Sequence, residues 1–267
     1  MLAETSVPKL YLAGFVPGVL LASLFMLTVF IASLLRPKWG GERPKADWGQ
    51  RIRCLPDLIP PFGVFLVVVG SIYAGLATPT EAASFGVVTS IGLAAYYKRL
   101  SLSMLKEAMV GAMRTNAMVM LIVLAAIFLN LVLALVGLTQ AFNEFILNLG
   151  LTPAQTLWVI IISFMVLGCF MENFSLMLIF VPLISPVVAN LGYDLVWFGI
   201  LMMIMLETAL ITPPIGVNLY VIQGVRGSGS LNDVIFGALP FVVTMVVMIV
   251  LLVLFPDIAL WMPDTLG

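Results

Sequence analysis

Between Leu195 and Ile222 an apolar run long enough to cross a bilayer is interrupted in its middle by Thr212-Pro213-Pro214-Ile215-Gly216-Val217-Asn218. A crossing helix takes about 20 predominantly apolar residues and pairs its backbone polar groups internally. Proline has no N–H and crowds the carbonyl four residues before it. Pro213 and Pro214 therefore predict that the carbonyls of Ala209 and Leu210 lose their helical donors. Thr212 suits the N-cap of a restarted helix, with Pro213 as its first residue. The expectation is a broken helix whose two half-helix ends face each other inside the membrane. Freed carbonyls and the negative end of the first half suit a cation such as Na⁺, and the positive N-terminus of the second suits an anionic group. Non-helical backbone persists at that depth only where it lines a protein cavity or a water path. Glu207 and Asn218 flank the break. The alternative is a proline kink whose carbonyls are satisfied by neighbouring helices.

The rest of the chain gives this segment a membrane to sit in. Of 267 residues, 62% are apolar and 9% charged, which places the chain among all-α polytopic membrane proteins. The absence of histidine removes histidine zinc sites, a Ser-His-Asp triad and histidine proton relays. Cys54 and Cys169 match no metal or redox spacing and read as unpaired thiols. No cofactor and no nucleic-acid partner is expected. The first apolar run, Leu10–Leu35, is too long for a signal-peptide core and reads as a true span.

Charge sets the expected orientation. Eleven of the twelve Lys/Arg residues fall at Arg36–Arg53, Lys98–Arg114 and Arg226, and only Lys9 lies elsewhere. The excess of basic residues in cytoplasmic loops makes those three segments cytoplasmic. Lys98–Asn116 reads as a partly amphipathic surface stretch before a span from Ala117 to Leu138. The apolar runs Ala154–Phe170 and Phe174–Leu191 then begin and end outside, so they are either two full spans or a re-entrant hairpin. Their junction, Cys169-Phe170-Met171-Glu172-Asn173-Phe174-Ser175, carries no basic residue, which favours the hairpin. Its tip, with Glu172, Asn173 and Ser175, then lies at membrane depth.

Other polar groups have structural readings. Thr78-Pro79-Thr80-Glu81 and Thr152-Pro153-Ala154-Gln155 both fit capping boxes at helix starts. Glu207 is either a functional ionisable group or a protonated carboxyl bonded to a neighbouring helix. Asn116 and Asn130 suit interhelical hydrogen bonds. Trp39, Trp48, Tyr193, Trp197 and Trp261 suit anchors at the membrane interface.

Two motifs carry a resemblance. Gly75–Val88, GLATPTEAASFGVV, resembles the G-x-x-T-P-T-E-A-A segment of the large membrane subunits of tripartite ATP-independent periplasmic (TRAP) transporters. Phe198-Gly199-Ile200-Leu201 through Leu210-Ile211-Thr212-Pro213-Pro214-Ile215-Gly216-Val217-Asn218-Leu219 is similar to that family's W-F-G-I-L…L-I-T-P-P-x-G-x-N-L signature. The resemblance implies half of an inverted-repeat, elevator-type transporter with a re-entrant hairpin and a broken transmembrane helix. It implies multi-pass residence in the bacterial inner membrane and Na⁺-coupled import of a small organic acid anion, dicarboxylate-like or a sugar acid. The anion would be delivered by a periplasmic binding protein, with a small TRAP membrane subunit as partner. It implies Na⁺ ligands at Gly168, Ala209, Thr212 and Ile215, and a site lined by Glu172, Asn173, Ser175, Glu207, Pro213, Pro214, Gly216 and Asn218. Ala209 stands where the family has glycine, and Glu172 where aspartate is commoner.

The organisation so implied is a helix ending the first repeat at 1–36, a cytoplasmic segment at 37–57 and scaffold helices at 58–138. The transport-domain half follows at 139–225, with its hairpin at 153–192 and broken helix at 195–224, then a last span at 231–256. One broken helix without an earlier counterpart predicts a C-terminal half that needs a missing N-terminal half of the large subunit. The alternatives are a non-transporting assembly subunit or truncated remnant, and an integral membrane enzyme using Glu172 and Glu207 as acid and base.

Overall fold

The computed structural model describes residues 7–36, 49, 54–227 and 229–266, and among these every regular element is helical. Most of the cytoplasmic segment expected at 37–57, with Trp39 and Trp48, lies outside the described residues. The helices are α1 (Val7–Leu35), α2 (Ile59–Tyr73, entered through a 3₁₀ turn at Leu55–Leu58), α3 (Pro79–Tyr96), α4 (Leu102–Leu135) and α5 (Leu138–Asn148). They continue as α6 (Pro153–Gly168), α7 (Asn173–Asn190), α8 (Leu195–Leu210), α9 (Val217–Arg226), α10 (Leu231–Leu254) and α11 (Asp257–Leu266). Among the described residues, five segments are long and apolar enough to cross a membrane: α1, the turn with α2, α4, α7 and α10. α6 and α8 are apolar but shorter, at 16 residues each.

Residues form two compact units, 1–35 with 119–267, and 36–118. In the smaller unit α2 packs on α3. α3 starts with the expected capping box: the Thr78 hydroxyl accepts from the Glu81 N–H at 3.4 Å, and the Thr78 N–H donates to Glu81 Oε2 at 2.8 Å. The Thr78 N–H and the Thr78 hydroxyl, which both donate to Oε2 at 2.8 Å, hold the Glu81 carboxyl below its ordinary pKa. The same device opens α6, where Thr152 and Gln155 cap each other.

The larger unit is built around α8. Ten of its 16 residues are buried, so it is the central helix and not a lipid-facing one. α6 supplies Leu157, Ile161 and Phe164 to it, α7 supplies Leu176 and Val188, and α10 supplies Met248, Ile249 and Leu252. Between bilayer helices the gain comes mainly from close packing, because lipid tails are as apolar as leucine. α1 is tied to α10 by a 2.6 Å contact between the Thr28 and Thr244 hydroxyls and by an edge-on pair of Phe25 and Phe241.

Three local expectations change. α4 is one unbroken 34-residue helix, so Leu102–Asn116 runs straight into the span without turning along a surface. No proline interrupts it, and at about 1.5 Å per residue it is longer than the hydrocarbon core is thick. The segment after Phe255 is helical, packs on α1, and buries Ala259. Trp197 is not an interfacial anchor. It is 1% exposed, stacks on Tyr193, and donates its indole N–H to the Leu252 carbonyl at 2.9 Å.

Asn130 makes the interhelical bond its position suggested. Its Nδ2 donates to the Leu178 carbonyl of α7 at 2.9 Å. Leu178 lies four residues before Pro182, so proline has removed that carbonyl's helical donor and Asn130 replaces it. Asn130→Ala is expected to cost about 1–2 kcal/mol. In a Pro182→Ala background the cost shrinks, because residue 182 regains an N–H; a double-mutant cycle followed by thermal unfolding in detergent measures the coupling.

Candidate functional site: a hairpin tip against a broken helix

α8 and α9 are separated by six residues, Ile211–Gly216, that adopt no helix. The break therefore exists, but its construction differs from the expected one. α8 ends by tightening: the Ile211 N–H donates to the Thr208 carbonyl at 3.3 Å and the Thr212 N–H to the Ala209 carbonyl at 3.2 Å. The Ala209 carbonyl is consequently not free, because donors three residues on replace those that proline removed. Leu210 differs, since its donors three and four residues on would both be prolines, and no hydrogen bond among the described residues ends on its carbonyl.

Thr212 is not the N-cap of the second half-helix. Its hydroxyl donates back to the Thr208 carbonyl at 2.6 Å, as the buried Thr208 hydroxyl does to Ile204 at 2.6 Å. The restart falls at Val217 with Gly216 as its cap, in a left-handed conformation at φ +49°. A Cβ there would stand 2.7 Å from Leu219 Cδ1, so the glycine is required by both conformation and space. The Pro213–Pro214 bond between the two halves is cis.

The tip of the α6–α7 pair meets this break. Gly168, the last residue of α6, lies so close to α8 that a Cβ on it would come 2.6 Å from the Ala209 Cβ. On the other side of the tip, Asn173 Nδ2 donates to the Leu206 carbonyl at 3.3 Å. The residues joining α6 to α7 thus cross the last turn of α8. The Asn173 Oδ1 atom is buried and has no hydrogen-bond partner among the described residues.

The other residues singled out from the sequence divide. Glu172 is exposed and caps α7, its Oε2 accepting from the Ser175 N–H at 3.0 Å and hydroxyl at 3.4 Å, so both side chains are occupied in starting that helix. Glu207 points outward from α8, and Ile215 and Pro214 are also exposed. Pro213 and Asn218 are half-buried. Sequence reading passed over Thr208, the fully buried partner of Thr212; the four-residue spacing of two threonines in an apolar helix was its signal. A cleft of about 730 Å³ between α1, α7 and α8 is lined by carbon-rich side chains such as Leu21, Met177 and Phe198, and includes none of these candidates.

Residues 1–258 match the family described as the tripartite ATP-independent periplasmic transporter, DctM component. The chain belongs to this family. It is 33% identical over 267 residues to the C4-dicarboxylate TRAP transporter large permease DctM of Rhodobacter capsulatus, covering 99% of this chain and 60% of that protein. It is 29% identical to the sialic acid TRAP transporter large permease SiaM of Vibrio cholerae, covering 99% of the chain and 61% of the relative. With the ectoine TRAP transporter large permease TeaC of Halomonas elongata it shares 28% identity, again over 99% and 61%. The chain thus spans about 60% of the length of these relatives. All three relatives are named as large permeases of TRAP transporters, and none of the three names describes an enzyme of the kind that would use Glu172 and Glu207 as acid and base.

Proposed function

We propose that this DctM-family chain is the permease part of a Na⁺-coupled secondary transporter that imports a small organic acid anion. The observation that carries the reading is the meeting of tip and break: Gly168 against Ala209, and Asn173 bound to Leu206. Na⁺ suits a set of neutral oxygens. The Leu210 carbonyl, stripped of donors by two prolines, and the unpartnered Asn173 Oδ1 both fit that need. Gly168, Ala209, Thr212 and Ile215 are the surrounding candidates for backbone or hydroxyl ligation. The positive end of α9, with Asn218 in its first turn, suits the anion.

In this reading α6 and α7 form a re-entrant hairpin, and residues 139–225 make half of a moving domain carried by scaffold helices in 58–138. The short length of α6 supports it, since 16 residues at about 1.5 Å each fall below a hydrocarbon core of about 30 Å. The partners are a small TRAP membrane subunit and a periplasmic binding protein that supplies the anion. Coupling follows if Na⁺ binds the closed tip-and-break arrangement more tightly than an open one, which shifts the population toward the state that holds substrate.

Thr212→Ala and Pro213→Ala, each made in the complete permease, test the site. Thr212→Ala is expected to raise the Na⁺ concentration for half-maximal uptake severalfold, in keeping with the loss of about 1 kcal/mol of hydroxyl bonding. Pro213→Ala returns an N–H to the α8 terminus and weakens Na⁺ dependence in the same direction. Uptake in proteoliposomes with unchanged Na⁺ dependence and rate in both variants rejects the assignment.

A further inference from the structure

The two polar atoms of the Asn173 side chain are used asymmetrically. Nδ2 spends a hydrogen on the Leu206 carbonyl, 3.3 Å away, and so fixes the orientation of the amide. With the amide fixed, Oδ1 is held in a buried position where no described group donates to it. A buried acceptor without a donor is a standing cost to the fold, and a side chain of similar size without polar atoms would avoid it. The Leu206 carbonyl does not need the amide, because it lies inside α8 and has a helical donor of its own. Nothing in the packing of tip on helix therefore requires an amide at this position.

The chemistry of the orphaned atom narrows what it serves. An amide oxygen accepts and never donates, so a substrate carboxylate, itself only an acceptor, is the wrong partner. A cation is the right one. The last turn of α8, which Asn173 and Gly168 straddle, ends in the Leu210 carbonyl that likewise has no donor. We infer that Asn173 Oδ1 is a direct side-chain ligand of the coupling cation, with Nδ2 holding it in place on α8. This rests on the Na⁺ reading above and adds to it a ligand from the start of α7, so that the cation joins α7 to α8 through one side chain. Closing the tip and completing the ion site then become the same event.

The test is thermal unfolding of the complete permease in detergent, in choline, K⁺ and Na⁺ media, for the native protein, Asn173→Leu and Asn173→Asp. Native protein is expected to be stabilised by Na⁺ and not by K⁺. Asn173→Leu is expected to be at least as stable as native in choline, since it relieves the orphaned oxygen. Its Na⁺ titration midpoint should rise about tenfold or more. Asn173→Asp loses the donor to Leu206 but keeps an oxygen for the ion, so its midpoint should stay below that of Asn173→Leu; Asn173→Ala, which also lacks the oxygen, takes the place of the leucine variant if that does not fold. Equal Na⁺ midpoints in native and leucine variants overturn the inference while leaving the Na⁺ reading intact. So does a leucine variant whose loss of stability is the same in choline and in Na⁺, which marks a structural role only. A leucine variant that loses its response to added substrate but keeps its Na⁺ midpoint assigns Oδ1 to a substrate donor and overturns it too. A native protein indifferent to Na⁺ sinks both readings.

Discussion

Gly168→Ala is expected to cut Na⁺-dependent uptake by about tenfold or more, and Ala209→Gly in the same protein is expected to restore much of it. The reason is a single contact. A methyl on Gly168 would stand 2.6 Å from the Ala209 Cβ, closer than real Cβ atoms approach, and Ala209 belongs to a buried helix that cannot step aside. Overpacking of this kind costs about 1–3 kcal/mol, and here the cost falls on the closed arrangement of tip and break. Each 1.4 kcal/mol is a factor of ten in that equilibrium. Removing the Ala209 methyl returns the space without touching any hydrogen bond. Proteoliposome uptake in the two single variants and the double variant decides the matter. Wild-type uptake by Gly168→Ala would mean that the tip does not close on α8 during transport.

Trp197→Ala should produce the largest loss of stability in the chain, about 3–5 kcal/mol, with a clear fall in melting temperature in detergent. Trp197 is among the largest fully buried side chains and sits where α8 meets α10. Its truncation opens a cavity, and the surrounding helices lose contacts they cannot rebuild. Trp197→Phe separates the two contributions: most of the ring contact remains, the 2.9 Å bond to Leu252 is lost, and the expected cost is about 1 kcal/mol. An unchanged melting temperature in Trp197→Ala would show that α8 is not the centre of the unit.

The lesson of the cap at the break is that local rules located the interruption and misplaced its details. Two prolines guarantee that α8 stops, because missing N–H groups are a property of the residues themselves. Where α9 restarts is different. It depends on how the Thr212 hydroxyl is used, and here it turns back to Thr208, leaving Gly216 to take the cap. The Ala209 carbonyl is similar, since a tightened last turn is always open to a helix end and no pattern announces it. α11 was missed although Pro256 and Asp257 mark a helix start, because its short apolar face reads as a tail until α1 is there to cover it.

By itself, the sequence determined the membrane class, the capping boxes at Thr78 and Thr152, the broken helix and the family, because each depends on residue chemistry or on spacing within a few turns. Only the tertiary structure decided that Gly168 abuts Ala209, that Asn173 reaches Leu206, and that Trp197 is core and not anchor. Those contacts join residues 33 to 55 positions apart, and they follow from which helix is surrounded on all sides. An apolar helix pattern cannot express that. In lipid, the outward and inward faces of a helix are equally apolar, and the polarity contrast that reveals a buried face in water is absent.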